Sequence, residues 1–219
     1  MKSGARRPAS GAAKSRKAYH HGDLRHALMA ATEAILLEKG VDAFTLREAA
    51  RRAGVSPAAP AHHFGDAAGL LTAVAREGFA EFAAMLDEAD KAAGPDPAAR
   101  LKAQGKAYVT FALNSPARFQ LMFRSDRLDP TRGDFEEVAG RSFATLENAV
   151  RDLVGLEPDA PMTADGYGAL LATWSMVHGF SHLALGHELD RAAKPLGGSR
   201  AILAQMLPAM LRYLPDKPR

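Results

Sequence analysis

TLREAARRAGVSPAAPAHHFGDAAGLLTAV, residues 45–74, is the stretch whose reading decides the fold. Thr45-Leu46-Arg47-Glu48 spells a capping box: the Thr hydroxyl accepts from the Glu48 amide, and the Glu carboxylate reaches back to the amide of Thr45. A short helix over residues 46–53 starts there. Gly54 permits the left-handed backbone of a sharp turn, Val55 packs beneath it, and Ser56 caps a third short helix with Pro57 at its first position. Phe64 closes the unit as an aromatic plug, and Asp66 is placed to cap the long helix that follows. The pattern is helix, tight turn, helix.

Upstream, Leu24, Leu28, Ala31 and Ile35 fall on one face of a helix over residues 23–39 that stops at Gly40. Downstream, Leu71, Ala75, Phe79, Phe82 and Leu86 stripe a long helix that ends at Gly94-Pro95-Asp96-Pro97. Further helices are expected near residues 98–114, from 116 to about 124, and over 135–154, 163–188 and 199–213. Pro208 should kink the last of them by removing the bond to Ala204. No stretch alternates with the two-residue period of a strand. The chain reads as all-α, with about nine helices: a basic disordered arm over residues 1–18, a helix-turn-helix domain over 19–68, and a helical domain over 69–219.

The charge is unevenly placed. Residues 1–21 hold six cations (Lys2, Arg6, Arg7, Lys14, Arg16, Lys17) and no acid, whereas the other 198 residues hold 22 cations against 25 acids. So basic a segment, poor in large apolar side chains, is disordered until it meets a polyanion. It has no apolar core of a secretory signal, although its acid-free composition also fits an organellar transit peptide. The absence of cysteine removes disulfides and thiolate chemistry and fits a reducing compartment, with the cytoplasm as the expected location. Residues 166–187 carry no Asp, Glu, Lys or Arg, but Thr173, Ser175, His178, Ser181, His182 and His187 put polar groups on every face, which argues against a membrane span.

A helix-turn-helix grips DNA with hydroxyls, cations and helix N-termini on phosphates while its second helix enters the major groove. Thr45 and Arg47 suit the phosphate role. Ser56, Pro57, Ala58, Ala59, His62 and His63 line the expected recognition helix, and Arg16 and Lys17 in the arm supply further charge. The competing reading is an ordinary capped helix pair.

Residues 45–74 resemble the DNA-binding domain of the TetR family. Ala18-Tyr19-His20-His21-Gly22-Asp23-Leu24-Arg25 looks like the lead-in of one subgroup, and Trp174-Ser175-Met176-Val177-His178-Gly179 looks like the W-x-x-V-H-G element of that subgroup's C-terminal domain. The resemblance implies an Ω-shaped homodimer of nine-helix protomers, dimerising through helices 8 and 9. A ligand pocket would lie among helices 4 to 8. The ligand would change the separation of the two reading heads and release a palindromic operator, so the chain would act as a repressor. The family's usual recognition-helix Tyr falls at Ala61, and its usual Lys at the start of helix 4 falls at Ala67. Arg47, His62, His63 and the arm would have to replace those two phosphate contacts.

Phe111, Phe119, Met122, Phe123, Phe143, Leu146, Trp174 and Met176 are the supply of side chains for such a pocket, or for a plain core. His178 is either a polar ligand contact or a satisfied structural histidine. Ser175, Gly179, His182 and Gly186 form a stripe at helical spacing, either a dimer seam or an internal packing face, and Met206 and Met210 are assigned to the same interface. No cofactor or metal is expected. His20-His21 and His62-His63 with Asp23 and Asp66 suggest a metal enzyme only weakly, because adjacent helical residues point about 100° apart. A helical adaptor without DNA binding is the other rival. Deleting residues 1–17 should sharply lower affinity for the gene's own upstream DNA in a gel shift; unchanged affinity across salt concentrations would show that the arm does not replace the missing contacts.

Overall fold

The computed structural model describes residues 12–157 and 159–215, with side chains described from Leu24 onward. Ten α-helices and no strand occur among the described residues. The chain divides into two compact units at Leu70 and Leu71.

In the first unit, α1 (Ala12–Lys39) and a 3₁₀ turn (Val41–Ala43) precede α2 (Leu46–Arg52) and α3 (Ala59–Phe64). Leu28, Ala31 and Ile35 are buried on the face that the periodicity selects, together with Phe44, Ala49, Ala50 and Phe64. The helix α1 begins at Ala12 rather than near Asp23, so the backbone of residues 12–18, read from sequence as arm, belongs to it. Residues 1–11, and the side chains of Arg16 and Lys17, lie outside the described residues. Gly54 has φ +67°, and around it Val55 N–H donates to Ala50 C=O at 3.0 Å and Gly54 N–H to Arg51 C=O at 3.3 Å. This paired closure satisfies the end of α2 and requires the left-handed residue.

The next helix starts later than Ser56 implies. Ala59 N–H donates to Ser56 C=O in a turn, α3 begins at Ala59, its N-cap position is Ala58, and no side chain caps it. Pro57 is therefore a turn residue, and Pro60 takes the proline-tolerant first turn of the helix. The long helix α4 (Ala67–Ala92) opens as the sequence indicates, with Asp66 Oδ1 accepting from Gly69 N–H at 2.8 Å.

The second unit contains the rest of α4, then α5 (Pro97–Asn114), α6 (Pro116–Met122), α7 (Phe135–Leu153), α8 (Ala164–Leu185), the short α9 (Asp190–Ala193) and α10 (Leu207–Leu211). Helix α5 packs against α6, α7, α8 and α10. Gly105 makes this possible: a Cβ there would lie 2.7 Å from Leu211 and 3.2 Å from Val177. Asp96 caps α5 through Ala98 and Ala99 N–H, and Thr163 caps α8 through Gly166 N–H at 3.1 Å. The segment between α6 and α7 is tied to α4, with Asp129 N–H donating to Thr72 Oγ1 at 2.9 Å and Arg76 forming a forked pair with Asp134, both bonds 2.6 Å.

Around Pro208 the backbone departs from the α-helical pattern. Residues Ile202–Met206 form a π turn immediately before α10, and Leu207 N–H donates five residues back to Ile202 C=O. Widening the helix is how the chain accommodates a residue with no N–H in mid-helix. No helix among the described residues is long and apolar enough to cross a membrane.

Because Gly54 stands at positive φ with open space around its Cα, the penalty of a side chain there is conformational and not steric. Gly54→Ala should lower stability by about 1 kcal/mol, seen as a lower urea midpoint at unchanged slope; an unchanged midpoint would contradict the account of the turn.

Candidate DNA-binding surface and ligand cavity

On the first unit, Thr45 caps α2 by accepting from Glu48 N–H at 3.2 Å. The return bond from Glu48 expected of a capping box gives way to ion pairing. The Glu48 carboxylate instead receives Arg51 at 2.8 Å and Arg52 Nε at 3.0 Å, while Arg52 also forks onto Glu38 of α1 at 2.9 and 2.6 Å. The Arg51 hydrogen bond, followed by that of Arg52, holds the Glu48 carboxyl well below the ordinary carboxylate range. Arg51 and Arg52 are thereby neutralised. Arg47, exposed on α2, forms no ion pair among the described residues.

The other candidate contacts lie close by along the chain. Ser56, Pro57 and Ala58 are exposed in the turn before α3, Ala59 is half-buried at its start, His62 is exposed, and His63 is half-buried with its ring 5.3 Å from that of His62. Ala61 and Ala67 offer no polar group. Beneath α3, Phe64 is buried, and the Arg25 guanidinium of α1 lies 4.8 Å above its ring centroid.

In the second unit an apolar cavity of about 240 Å³ opens among five segments. Phe79, Phe82 and Leu86 of α4 form one wall, and Gln104, Gly105 and Tyr108 of α5 form another. Phe123 follows α6; Ala139, Ser142, Phe143 and Leu146 come from α7, and Thr173, Trp174 and Val177 from α8. Phe143 is 41 % exposed and meets Trp174 edge to face at 5.9 Å, so this pair forms the solvent-side rim.

Of the side chains singled out for a pocket, Phe123, Phe143, Leu146 and Trp174 are on this wall. Phe111, Phe119 and Met122 are not: all three are buried in packing, Phe111 against Phe82 at 5.0 Å and Phe119 against Tyr108 at 5.7 Å. His178 is also displaced from the wall. Its Nδ1 is 2.7 Å from the Tyr108 hydroxyl, and its ring packs among Phe119, Phe123, Trp174 and His182. It buttresses the wall from behind.

Gln104 is a cavity residue that periodicity could have flagged. It lies on the buried face of α5 with Leu101, Tyr108 and Phe111, and a lone amide on such a face needs a reason.

The other side of α8 is solvent-facing. Ser175, His182 and Gly186 are exposed and Gly179 half-buried, beside exposed Tyr167, Leu171 and Leu183. A Cβ on Gly168 or Gly179 would meet nothing within 4 Å. This face is therefore open at Gly168 and Gly179, while His182 turns its ring toward Phe119 at 5.5 Å. Met206 and Met210 are half-buried near the C-terminal end.

Comparison with known proteins accounts for both units. Residues 28–74 match the family model described as bacterial regulatory proteins, tetR family, and residues 101–207 match the tetracyclin repressor-like C-terminal domain. A solved protein of unknown function from Rhodococcus sp. RHA1 is 32 % identical, with 90 % of this chain and 97 % of that one covered and a TM-score of 0.67. A bacterial regulatory protein of the tetR family from Rhodococcus RHA1 (21 % identical, 88 % and 97 % covered, TM-score 0.65) has the same fold. So does the TetR-family regulator PfmR from Thermus thermophilus (21 %, 86 % and 98 %, 0.61). No curated protein matches the chain.

Burial, and then the charge of His182, lowers the His178 pKa from its ordinary 6.5. Below pH 6.5 the unfolded chain therefore binds a proton that the folded one resists, and stability should fall as pH drops from there toward the folded value. His178→Asn should flatten that fall in a thermal-melt series from about pH 7.5 to about pH 5; an unaltered pH dependence would show that His178 does not titrate as described. Matched over both of its units, the chain belongs to the TetR family of DNA-binding transcriptional regulators.

Proposed function

We propose that the protein is a homodimeric repressor that leaves its operator when a small, mostly apolar molecule occupies the cavity of the second unit. The observation that carries this reading is the pairing of a helix-turn-helix holding an uncompensated Arg47 with a cavity walled mainly by aromatic and aliphatic side chains. Helix α4 supplies its Asp66-capped first turn to the first unit and Phe79, Phe82 and Leu86 to the cavity of the second. A ligand that prefers one position of this helix shifts the population of DNA-competent protein by its differential affinity alone.

DNA binding rests on phosphate contacts from Thr45, Arg47 and the arm cations Arg16 and Lys17. The turn and start of α3, Ser56 to Ala59, together with His62 and His63, face the bases. Pro57, Ala58 and Ala59 provide apolar contacts suited to thymine methyl groups, so shape readout carries much of the sequence preference. The α8 stripe of Ser175, Gly179, His182 and Gly186, with Met206 and Met210, is the dimer surface.

Two variants test this together by fluorescence anisotropy on the upstream DNA and by sedimentation. Arg47→Ala should weaken binding evenly across sequences and reduce the salt slope by about 1. Gly179→Leu, whose Cβ meets nothing within 4 Å in the protomer, should retain helix content, yet give monomers and much weaker DNA binding. A dimeric Gly179→Leu, or an Arg47→Ala indistinguishable from wild type, would overturn the respective assignment.

A further inference from the structure

The cavity is apolar, but two of the residues that line it each bury a polar atom whose hydrogen-bonding capacity the protein leaves unused. Among the described residues lining it, none is charged, and the polar ones are Gln104, Tyr108, Ser142, Thr173 and the indole of Trp174. The Tyr108 hydroxyl is committed to His178, and Ser142 Oγ donates to Ala139 C=O at 2.8 Å. Gln104 Oε1 and Thr173 Oγ1 are buried and have no partner. Their residues are 3 % and 2 % exposed.

Each atom is set in place by its surroundings. Gln104 Nε2 donates to Asp90 Oδ1 at 2.6 Å and to Thr145 C=O at 3.3 Å, and because both partners are acceptors the amide must turn its nitrogen to them and its oxygen away. Asp90 is itself held by Arg100 Nε at 2.8 Å, so a flipped amide would set its oxygen against a half-buried carboxylate. Thr173 departs from the habit of the other helical hydroxyls here. Thr32, Thr110 and Ser181 each donate to the carbonyl four residues back at 2.8 Å, whereas Thr173 does not.

An unmet buried acceptor costs free energy, and few native proteins leave one in place without a use for it. From this we infer that the cavity is built for a neutral, mostly apolar molecule bearing a hydroxyl group, whose O–H donates to Gln104 Oε1 and whose polar end also engages Thr173 Oγ1. An anionic ligand is disfavoured, because the fixed Gln104 oxygen repels it and no lining cation compensates. The space, about eight waters' worth at ~30 Å³ each, suits a two-ring molecule. This inference rests on the proposal that the cavity is a ligand site, and it adds the chemistry of what enters.

Calorimetry on the full chain at neutral pH with 2-naphthol, 2-methoxynaphthalene and 2-naphthoate tests it. The first offers a donor, the second only an acceptor on the same rings, and the third a charge. We expect 2-naphthol to bind about tenfold tighter than its methyl ether, and Gln104→Met to abolish that preference. Thr173→Val, which keeps the shape, should weaken 2-naphthol binding several-fold; together with the wild-type comparison it decides the matter even if Gln104→Met does not fold. Equal binding of the two neutral probes would overturn the donor subsite and leave the apolar cavity standing as a ligand site. Tightest binding of 2-naphthoate would overturn the neutrality argument. Failure of all three to bind would overturn both the subsite and the ligand-site reading beneath it.

Discussion

A helix packed on several sides must give every polar group it buries a partner, and the second unit is organised around how α5 meets that requirement. Gly105 lets α8 and α10 approach its backbone, while one helical position away Gln104 reaches outward to Asp90 of α4 and the Thr145 backbone of α7. The same two adjacent residues therefore set a close contact on one flank and a polar bracket on the other. Between these flanks the helices are held apart, and the resulting space is lined by Phe79, Phe82, Tyr108 and Trp174. A close-packed interior does not keep such a space by accident when aromatic side chains are at hand to fill it.

The first unit is organised by charge and by capping. Its helices α2 and α3 are too short to persist alone, so the ends matter as much as the faces. Thr45 and Asp66 cap two helices, Gly54 closes α2, and the Glu48–Arg52–Glu38 chain ties α2 to α1. Using Glu48 in this way neutralises two cations of α2 and leaves Arg47. For a module with alanine at 61 and 67, that exposed guanidinium has more to do.

Much of this was legible in the sequence because it depends on local rules. The Thr45 and Asp66 caps, the Gly54 turn and the α4 stripe each follow from a few neighbouring residues, and the family resemblance over both halves followed from motif residues. What escaped was set by competition or by distance. Ser56-Pro57 satisfies the sequence rule for a helix start, yet α3 begins at Ala59, uncapped, with buried Pro60 in its first turn. Glu48 had two possible employments, and arginines four residues or fewer away displaced the backbone. Pro208 was recognised as a disruption, but nothing local showed that a π turn would precede it. Phe119 and Phe123, four residues apart, differ in that one is core and the other cavity wall, a distinction made by α7 and α8 and by nothing local.

The proposed dimer surface completes the picture: it is the face of α8 that exposes Tyr167, Leu171 and Leu183 beside glycines. Two copies joined there would read two half-sites. Hydroxyl-radical footprinting of the protein on its upstream DNA tests that central claim most directly. The account predicts two equivalent protected patches on one face of the duplex, centred about one helical turn or a multiple apart; a single unsymmetrical patch, or none, would contradict it.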